Sequence, residues 1–451
     1  MNKIRIPIIL GLSFILLSAC WQYPVDSGPL DDTPPGNQPT PPPPPPPVVD
    51  DGIPLGFDYS SVDVYNLAVD VSFTDGSPYA GSVFELFFDN ICTNSNRDDR
   101  RVKRFRVNNE GRHRSVIAIP KGVETLYLCP RSSGLPVSIP ITVDRDREEA
   151  RLVYTQANAP GNAANDHDEF TGDDVRFYNN YYPFKTGWST LMYEDSWPRF
   201  DDYDMNDLVL DYRFTEIANK DNDIVEIIMD FRFRATCAGF SNAFGVELNV
   251  PSARVASVTY AQQGLFTGLV NLLPNGLEAG HGDKSVVIVT DNITEFIPQF
   301  INCVNGGPTL PPGALRITIT FNQPISKNEL RVAPYKPFLI PIPNESSFQA
   351  NRGMEIHLPN MRPTALANLS ILGTNDDDSS IADGRFYLSK DRRNWAMNVH
   401  SRMDVYPVPR VSIVEAFNFF VPWAESGGKE HFDWYSNRPG FRNNENLFRG
   451  N

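Results

Sequence analysis

In the stretch YEDSWPRFDDYDMNDLVLDYRF, residues 193–214, the eighteen positions from Glu194 to Asp211 carry seven carboxylates (Glu194, Asp195, Asp201, Asp202, Asp204, Asp207 and Asp211) and one base, Arg199. Like charges crowded into one turn repel, so a folded chain either leaves them to water or gives them a cation. Asp202, Asp204 and Asn206 have the alternating oxygen spacing that opens an EF-hand loop. The rest departs from that loop: the sixth position is Asp207 where glycine belongs, the twelfth is Arg213 where a bidentate glutamate belongs, and a strand pattern follows. The stretch is therefore not an EF-hand. Hard oxygen donors on a tight turn still suit calcium better than a transition metal, which takes imidazole or thiolate. Ca2+ is the expected cofactor, with Asn206 adding a neutral oxygen. A second acidic run, Asn375 to Asp378, sits in a Ser-rich loop and reads as simply exposed.

Such a turn needs a rigid base. Leu208, Leu210, Tyr212 and Phe214 fall on one side of a strand and Val209, Asp211 and Arg213 on the other, which ties the turn to a sheet. Further strand patterns are DIVEIIMDFRFRAT, SVVIVT, ALRITITF and KPFLIPI. Nearer the N-terminus, Leu67, Val69, Val71 and Phe73 alternate, a turn signal Asp75-Gly76-Ser77-Pro78 follows, and about six or seven short strands fit before residue 145. One helix is expected near the end, with Ser412 to Glu415 as a capping box and Pro422 as its stop. The fold class is mainly β. A small β-sandwich domain is assigned to residues 57–150, and a larger β-rich domain with few helices to residues 151–451.

The chain starts MNKIRIPIILGLSFILLSAC: a short basic opening (Lys3, Arg5) and an apolar run from Ile6 to Leu17, shorter than a membrane span. Residues 1–19 read as an export signal. Leu17-Ser18-Ala19-Cys20 resembles the lipobox of bacterial lipoproteins, which implies cleavage before Cys20 and acylation of that cysteine, making the membrane its first partner. Trp21 in the next position resembles lipoproteins sorted to the outer membrane. Residues 20–56, with seven consecutive prolines from Pro41 to Pro47, form a tether in which that run alone spans roughly 20 Å.

Four more cysteines, Cys92, Cys129, Cys237 and Cys303, fit two bridges in an oxidising compartment. Of three connectivities, the domain boundaries favour Cys92 with Cys129 and Cys237 with Cys303. The net charge is −15, and without Lys3 and Arg5 there are 38 bases against 55 acids, or −17. Nucleic acid is excluded as a partner on that ground. The one basic segment, residues 97–114, reads as the solvated face of a strand pair, with anionic lipid or surface polysaccharide as its other possible contacts.

The opening stretch, followed by RATCAGFSNAFGVEL, NGLEAGHGDKSVVIVTDN, APYKPFLIP, GMEIHLPNMRPT, GTNDDDSS and WAESGGKEHFDWY, resembles the LruC-domain proteins, exported bacterial envelope proteins of which many are lipoproteins. The likeness covers most of residues 175–440 in the family's order. It implies a calcium-binding acidic loop, and by position the matching residues are Glu194, Asp195, Asp202, Asp204, Asn206 and Asp207. Cys237, where related chains often have a small residue, and the looser block DRRNWAMNV are departures, and neither touches the acidic turn.

Among enzyme signatures there is no G-x-S-x-G, no H-E-x-x-H and no P-loop, and the six histidines are scattered. His357 in EIHLP reads as a hydrogen-bonded structural residue. A glycosidase needs only two carboxylates brought together in space, so surface-glycan binding or hydrolysis stands as the alternative. Trp188, Trp197, Trp395, Trp423 and Trp434 are candidate sugar platforms, each weighed against an ordinary place in the core. The preferred reading is a non-catalytic envelope lipoprotein with a calcium-binding recognition or structural module, its partner a surface glycan or an envelope protein.

Overall fold

The computed structural model describes residues 52–131, 135–156, 178–262, 266 and 270–450. The export signal, Cys20 and nearly all of the proline tether lie outside the described residues.

Seven strands build the first half: β1 (Val62–Phe73), β2 (Val83–Phe87), β3 (Lys103–Arg106), β4 (Arg112–Pro120), β5 (Thr125–Pro130), β6 (Ile139–Asp144) and β7 (Glu149–Gln156). Tyr65, Leu67, Val69 and Val71 of β1 meet Phe84 and Leu86 of β2 and Leu126 and Leu128 of β5 in one core. β1 pairs antiparallel with β4 and parallel with β7, whereas β2 pairs with β3 and β5. β6 bonds to both β5 and β7 and so turns the corner between two layers, as in a sandwich. The disulfide Cys92–Cys129 packs against Phe87 and ties the loop after β2 to β5.

The second half contributes β8 (Tyr178–Tyr182), β9 (Ser189–Tyr193), β10 (Leu208–Ala218), β11 (Ile224–Ala235), β12 (Ala243–Leu248), β13 (Val255–Tyr260), β14 (Ser285–Thr290), β15 (Gly313–Ile325), β16 (Lys336–Ile340), β17 (Ile356–His357) and β18 (Ala396–Val399). β10 is its axis. One edge of β10 pairs with β11 along its length, while the other pairs first with β9 and then with β8. β8 then meets β3 at the single pair Lys103↔Asn180, so one sheet runs from β13 through to β4.

The alternation along β10 is visible in what each face touches. Leu208, Leu210, Tyr212 and Phe214 enter a core shared with Phe244 and Val246 of the four-stranded sheet β14-β12-β16-β17. Val209, on the opposite face, enters a second core with Met192, Met397, Trp423 and Trp434. Each large apolar side chain fully removed from water this way contributes about 1.5–3 kcal/mol. The disulfide Cys237–Cys303 joins that second core.

Two sequence expectations need correction. The C-terminal helix is two short ones, α3 (Ile413–Ala416) and α4 (Phe420–Glu425), counted here as the third and fourth after α1 (Lys327–Leu330) and α2 (Phe348–Asn351). Ser412 does cap α3, but Phe417 is extended and Asn418 N–H bonds to Phe441 O at 3.0 Å, which pulls the chain off the helical path. Pro422 sits in the first turn of α4, where a missing N–H costs nothing, so it does not stop a helix. The basic segment is only partly a solvated face. Arg112 and Arg114 are exposed, but Arg101, Lys103 and His113 are buried. Arg97, Arg101, Arg104 and Arg131 converge on the buried Glu85. Of the two readings of the tryptophans, the core place holds for Trp197, Trp395, Trp423 and Trp434, which are at most 3% exposed, and Trp188 lies under the guanidinium groups of Arg213 and Arg232. Among the described residues no helix is long and apolar enough to cross a membrane.

Candidate metal centre

β9 and β10 form a hairpin whose last pair is Tyr193↔Leu208. The acidic loop is the excursion between them, so Glu194 and Asp207 sit at its neck. Glu194 N–H bonds to Trp395 O at 2.9 Å, and Asp195 N–H donates to Asp207 Oδ2 at 2.8 Å. Inside the loop Tyr203 and Met205 both adopt left-handed backbone, φ +58° and +56°. That conformation costs a non-glycine residue roughly 1–2 kcal/mol. It is offset because both side chains are buried in the second core and the Tyr203 hydroxyl donates to Asn394 Oδ1 at 2.7 Å.

This backbone gathers three of the six expected ligands. One carboxylate oxygen from each of Glu194, Asp202 and Asp204 lies within 4.8 Å of the others, and no histidine or cysteine joins them. Oxygens bound to one calcium ion at 2.3–2.6 Å can be no more than about 5 Å apart, so the spacing fits. Glu194 Oε1 accepts the Met205 N–H, while its fully buried Oε2 has no partner. Asp204 accepts from Asn206 N–H at 3.1 Å and from Arg410 N–H at 2.8 Å.

The other three stand around this group. Asp195 accepts from Asn242 Nδ2 at 2.9 Å, Asp207 closes the neck, and Asn206 Nδ2 donates to Pro407 O at 3.0 Å. Asn206 Oδ1 is buried with no partner. Asn242 and the backbone of Arg410 are contributors that no local sequence signal marks, although Asn242 lies within the block RATCAGFSNAFGVEL. The second acidic run is likewise not just exposed. Asp377 is fully buried, accepting from Gly373 N–H and Ser379 Oγ at 2.8 Å each, and Asp376 accepts from Phe200 N–H at 2.9 Å. It braces the far side of the acidic loop.

Electrostatics set the loop apart from the rest of the sheet. Asp211, four residues on, is matched by Arg234 at 3.2 Å and Arg402 at 2.9 Å. Among the described residues, Glu194, Asp195, Asp202, Asp204 and Asp207 have no ion pair at all. Burial, and then the charges of Asp207, Asp204 and Asp202, hold the Glu194 carboxyl far above its usual range. Burial and then Asp202 push Asp204 up to about 8, and burial pushes Asp195 up to about 6. Burial, then Asp195 and Asp204, raise Asp207 strongly, and burial, then Asp201, raise Asp202. A buried carboxylate without a counter-charge costs several kcal/mol. At neutral pH this loop either holds protons or accepts a cation.

Residues 222–435 match the family described as a domain of unknown function (DUF4842). The match begins after the acidic loop and takes in β11 to β18 with α3 and α4. A crystal structure of a presumed lipoprotein from Bacteroides ovatus superposes with a TM-score of 0.53 at 14% identity, covering 82% of this chain and 100% of that one. That likeness establishes a shared fold. BcpA, the major pilin subunit of Bacillus cereus, is also similar, at 10% identity over 63% of this chain and 65% of that one, but its TM-score of 0.14 carries no argument. No curated protein matches the sequence significantly.

Proposed function

We propose that this chain is an outer-membrane lipoprotein, anchored through Cys20, that presents a calcium-stabilised β-rich module of the LruC type for recognition or structural support, without catalysis. The observation that carries the calcium reading is the convergence of Glu194, Asp202 and Asp204 within 4.8 Å, with no ion pair to any of the three among the described residues. Glu194 Oε2, buried and unpartnered, supplies a donor already stripped of water. Bound there, calcium would neutralise the repulsion that otherwise works against the β9–β10 hairpin, and these residues would hold it as oxygen donors. The anchor rests on the likeness of Leu17 to Cys20 to a lipobox, and the similar fold of the presumed lipoprotein from Bacteroides ovatus supports it.

Equilibrium dialysis of the chelator-treated full chain against calcium tests this reading. The expected result is saturable binding that is lost in Glu194→Gln and Asp204→Asn. No binding by the wild-type chain overturns it.

Glycan binding is the second reading. With Trp197, Trp395, Trp423 and Trp434 buried, it is supported by a cleft of about 980 Å³ whose walls include Asp63, Glu124, Glu148, Arg145, Arg331 and the exposed ring of Phe432. Depletion of the chain from solution by polysaccharide, reduced in Phe432→Ala, would favour it.

A further inference from the structure

The narrow ladder joining the two halves of the sheet contains a buried amine that makes no ion pair among the described residues. Lys103 on β3 is the cross-strand partner of Asn180 on β8, and Asn180 is the partner of Glu216 on β10. Direct partners on adjacent strands project to the same face with Cβ atoms about 5 Å apart. All three residues are buried, and with Tyr182, Phe214 and Lys327 they line a cavity of about 30 Å³. Asn180 Nδ2 donates to Glu216 Oε2 at 3.1 Å. Glu216 Oε1 accepts from the Tyr335 hydroxyl at 2.7 Å and from Lys327 Nζ. Lys327 therefore answers the charge of Glu216, and among the described residues no carboxylate lies within ion-pair distance of Lys103. Burial, and then the charge of Lys327, push the Lys103 ammonium down to about 7, so a large share of it is free amine at neutral pH.

We propose that Lys103 and Asn180 join in an intramolecular isopeptide bond, with Glu216 relaying the proton. The Lys103 Nζ lone pair attacks Asn180 Cγ, and the carbonyl electrons move onto Oδ1. Glu216 Oε2, already in contact with Nδ2, takes the proton released by Nζ and delivers it to Nδ2. The carbonyl re-forms, the Cγ–Nδ2 bond breaks and ammonia leaves. An amine and a primary amide become a secondary amide and ammonia, with no oxidant, reductant or co-reactant. The bond would fasten the two halves covalently at the one residue pair where β3 and β8 meet. It is independent of calcium.

The test is mass spectrometry of peptides from the full chain, denatured and with its disulfides reduced before digestion. The expected product is a branched peptide linking Lys103 to Asn180, lighter than the two linear peptides together by one ammonia, and absent in Lys103→Arg. Glu216→Gln is expected to carry roughly 100-fold less of it after equal time. Requiring the branch distinguishes the bond from cyclisation of an asparagine alone, which also loses ammonia. Stoichiometric linear peptides with unmodified Lys103 and Asn180 from the folded wild-type chain overturn the proposal. Undiminished branched peptide in Glu216→Gln overturns the relay.

Discussion

The backbone N–H of Asp195 donates to the Asp207 carboxylate at 2.8 Å, so the acidic loop is closed at its neck by one of its own acids. With Asp207 engaged there and Asp195 held by Asn242, the loop leaves Glu194, Asp202 and Asp204 as the group that converges. A closed neck also couples the group to the sheet, because the next residues on either side are the hairpin pair Tyr193↔Leu208. Stability of β9 and β10 should therefore report on the charge state of the loop.

Glu194→Gln keeps the side chain's shape and removes a charge that is fully buried. Calcium affinity should fall at least tenfold, about 1.4 kcal/mol. The calcium-free chain should become more stable than wild type near neutral pH, since a neutral amide folds without the proton that the raised Glu194 carboxyl must take up. Urea unfolding with calcium and with chelator reads both effects. A variant destabilised equally in the two conditions would mean that Glu194 is only a packing residue.

The pH dependence has a definite sign. In chelator, Asp195 and Asp204 have folded values of about 6 and about 8, raised by burial above the ordinary carboxylate value. A carboxyl raised in the folded state contributes fully below its unfolded value, and that contribution is lost as pH rises through the folded value. The calcium-free chain should thus lose stability between about pH 4 and pH 8. Calcium binds the deprotonated form, so its stabilising effect should grow across the same window. Differential scanning calorimetry at several pH values would show it, and a calcium effect independent of pH would contradict it.

The Cys237–Cys303 bridge closes a loop of 66 residues and is buried in the second core. Replacing both cysteines with alanine should cost roughly 4 kcal/mol, chiefly by freeing the unfolded chain. Chemical denaturation measures the loss. Because Cys237 N–H bonds to Asn206 O at 3.1 Å, calcium affinity should fall as well.

Trp434 is fully buried against Phe417 and Phe420, with ring centroids 5.0 Å away in each case, and Trp423 at 5.4 Å. Trp434→Ala should cost about 3–5 kcal/mol in urea unfolding. Tyr203 and Met205 share that core, so the acidic loop should loosen with it.

Strands with strong alternation or long β-branched runs were legible from residues alone. β1, β10, β11, β14, β15 and β16 all fall where the patterns place them, and the cysteine pairing follows the favoured connectivity. β8 and β9 are not legible: YNNYY alternates in burial, but Asn180 shares its buried face with Tyr178 and Tyr182, and STLMY is buried on both faces and so carries no period. The terminal helix was misjudged because the bond from Asn418 to Phe441 overrides a local helical pattern. At the site, the spacing of Asp202 and Asp204 pointed to oxygen ligation, whereas Glu194 entered only through family resemblance. Its approach to them depends on the hairpin register, which no local spacing encodes. Lys103 was hidden in a segment that reads as solvated, since only the β3–β8 junction buries it.

Thermal unfolding of the full chain in calcium, in magnesium and in chelator would show whether the acidic loop is an ion site. A ligand that binds only the native state raises Tm, and a flexible oxygen site prefers calcium to the smaller ion. Tm should rise in calcium well above its value in magnesium, with chelator giving the lowest value. Equal Tm in all three conditions would contradict it and leave the carboxylates of this loop protonated or solvated.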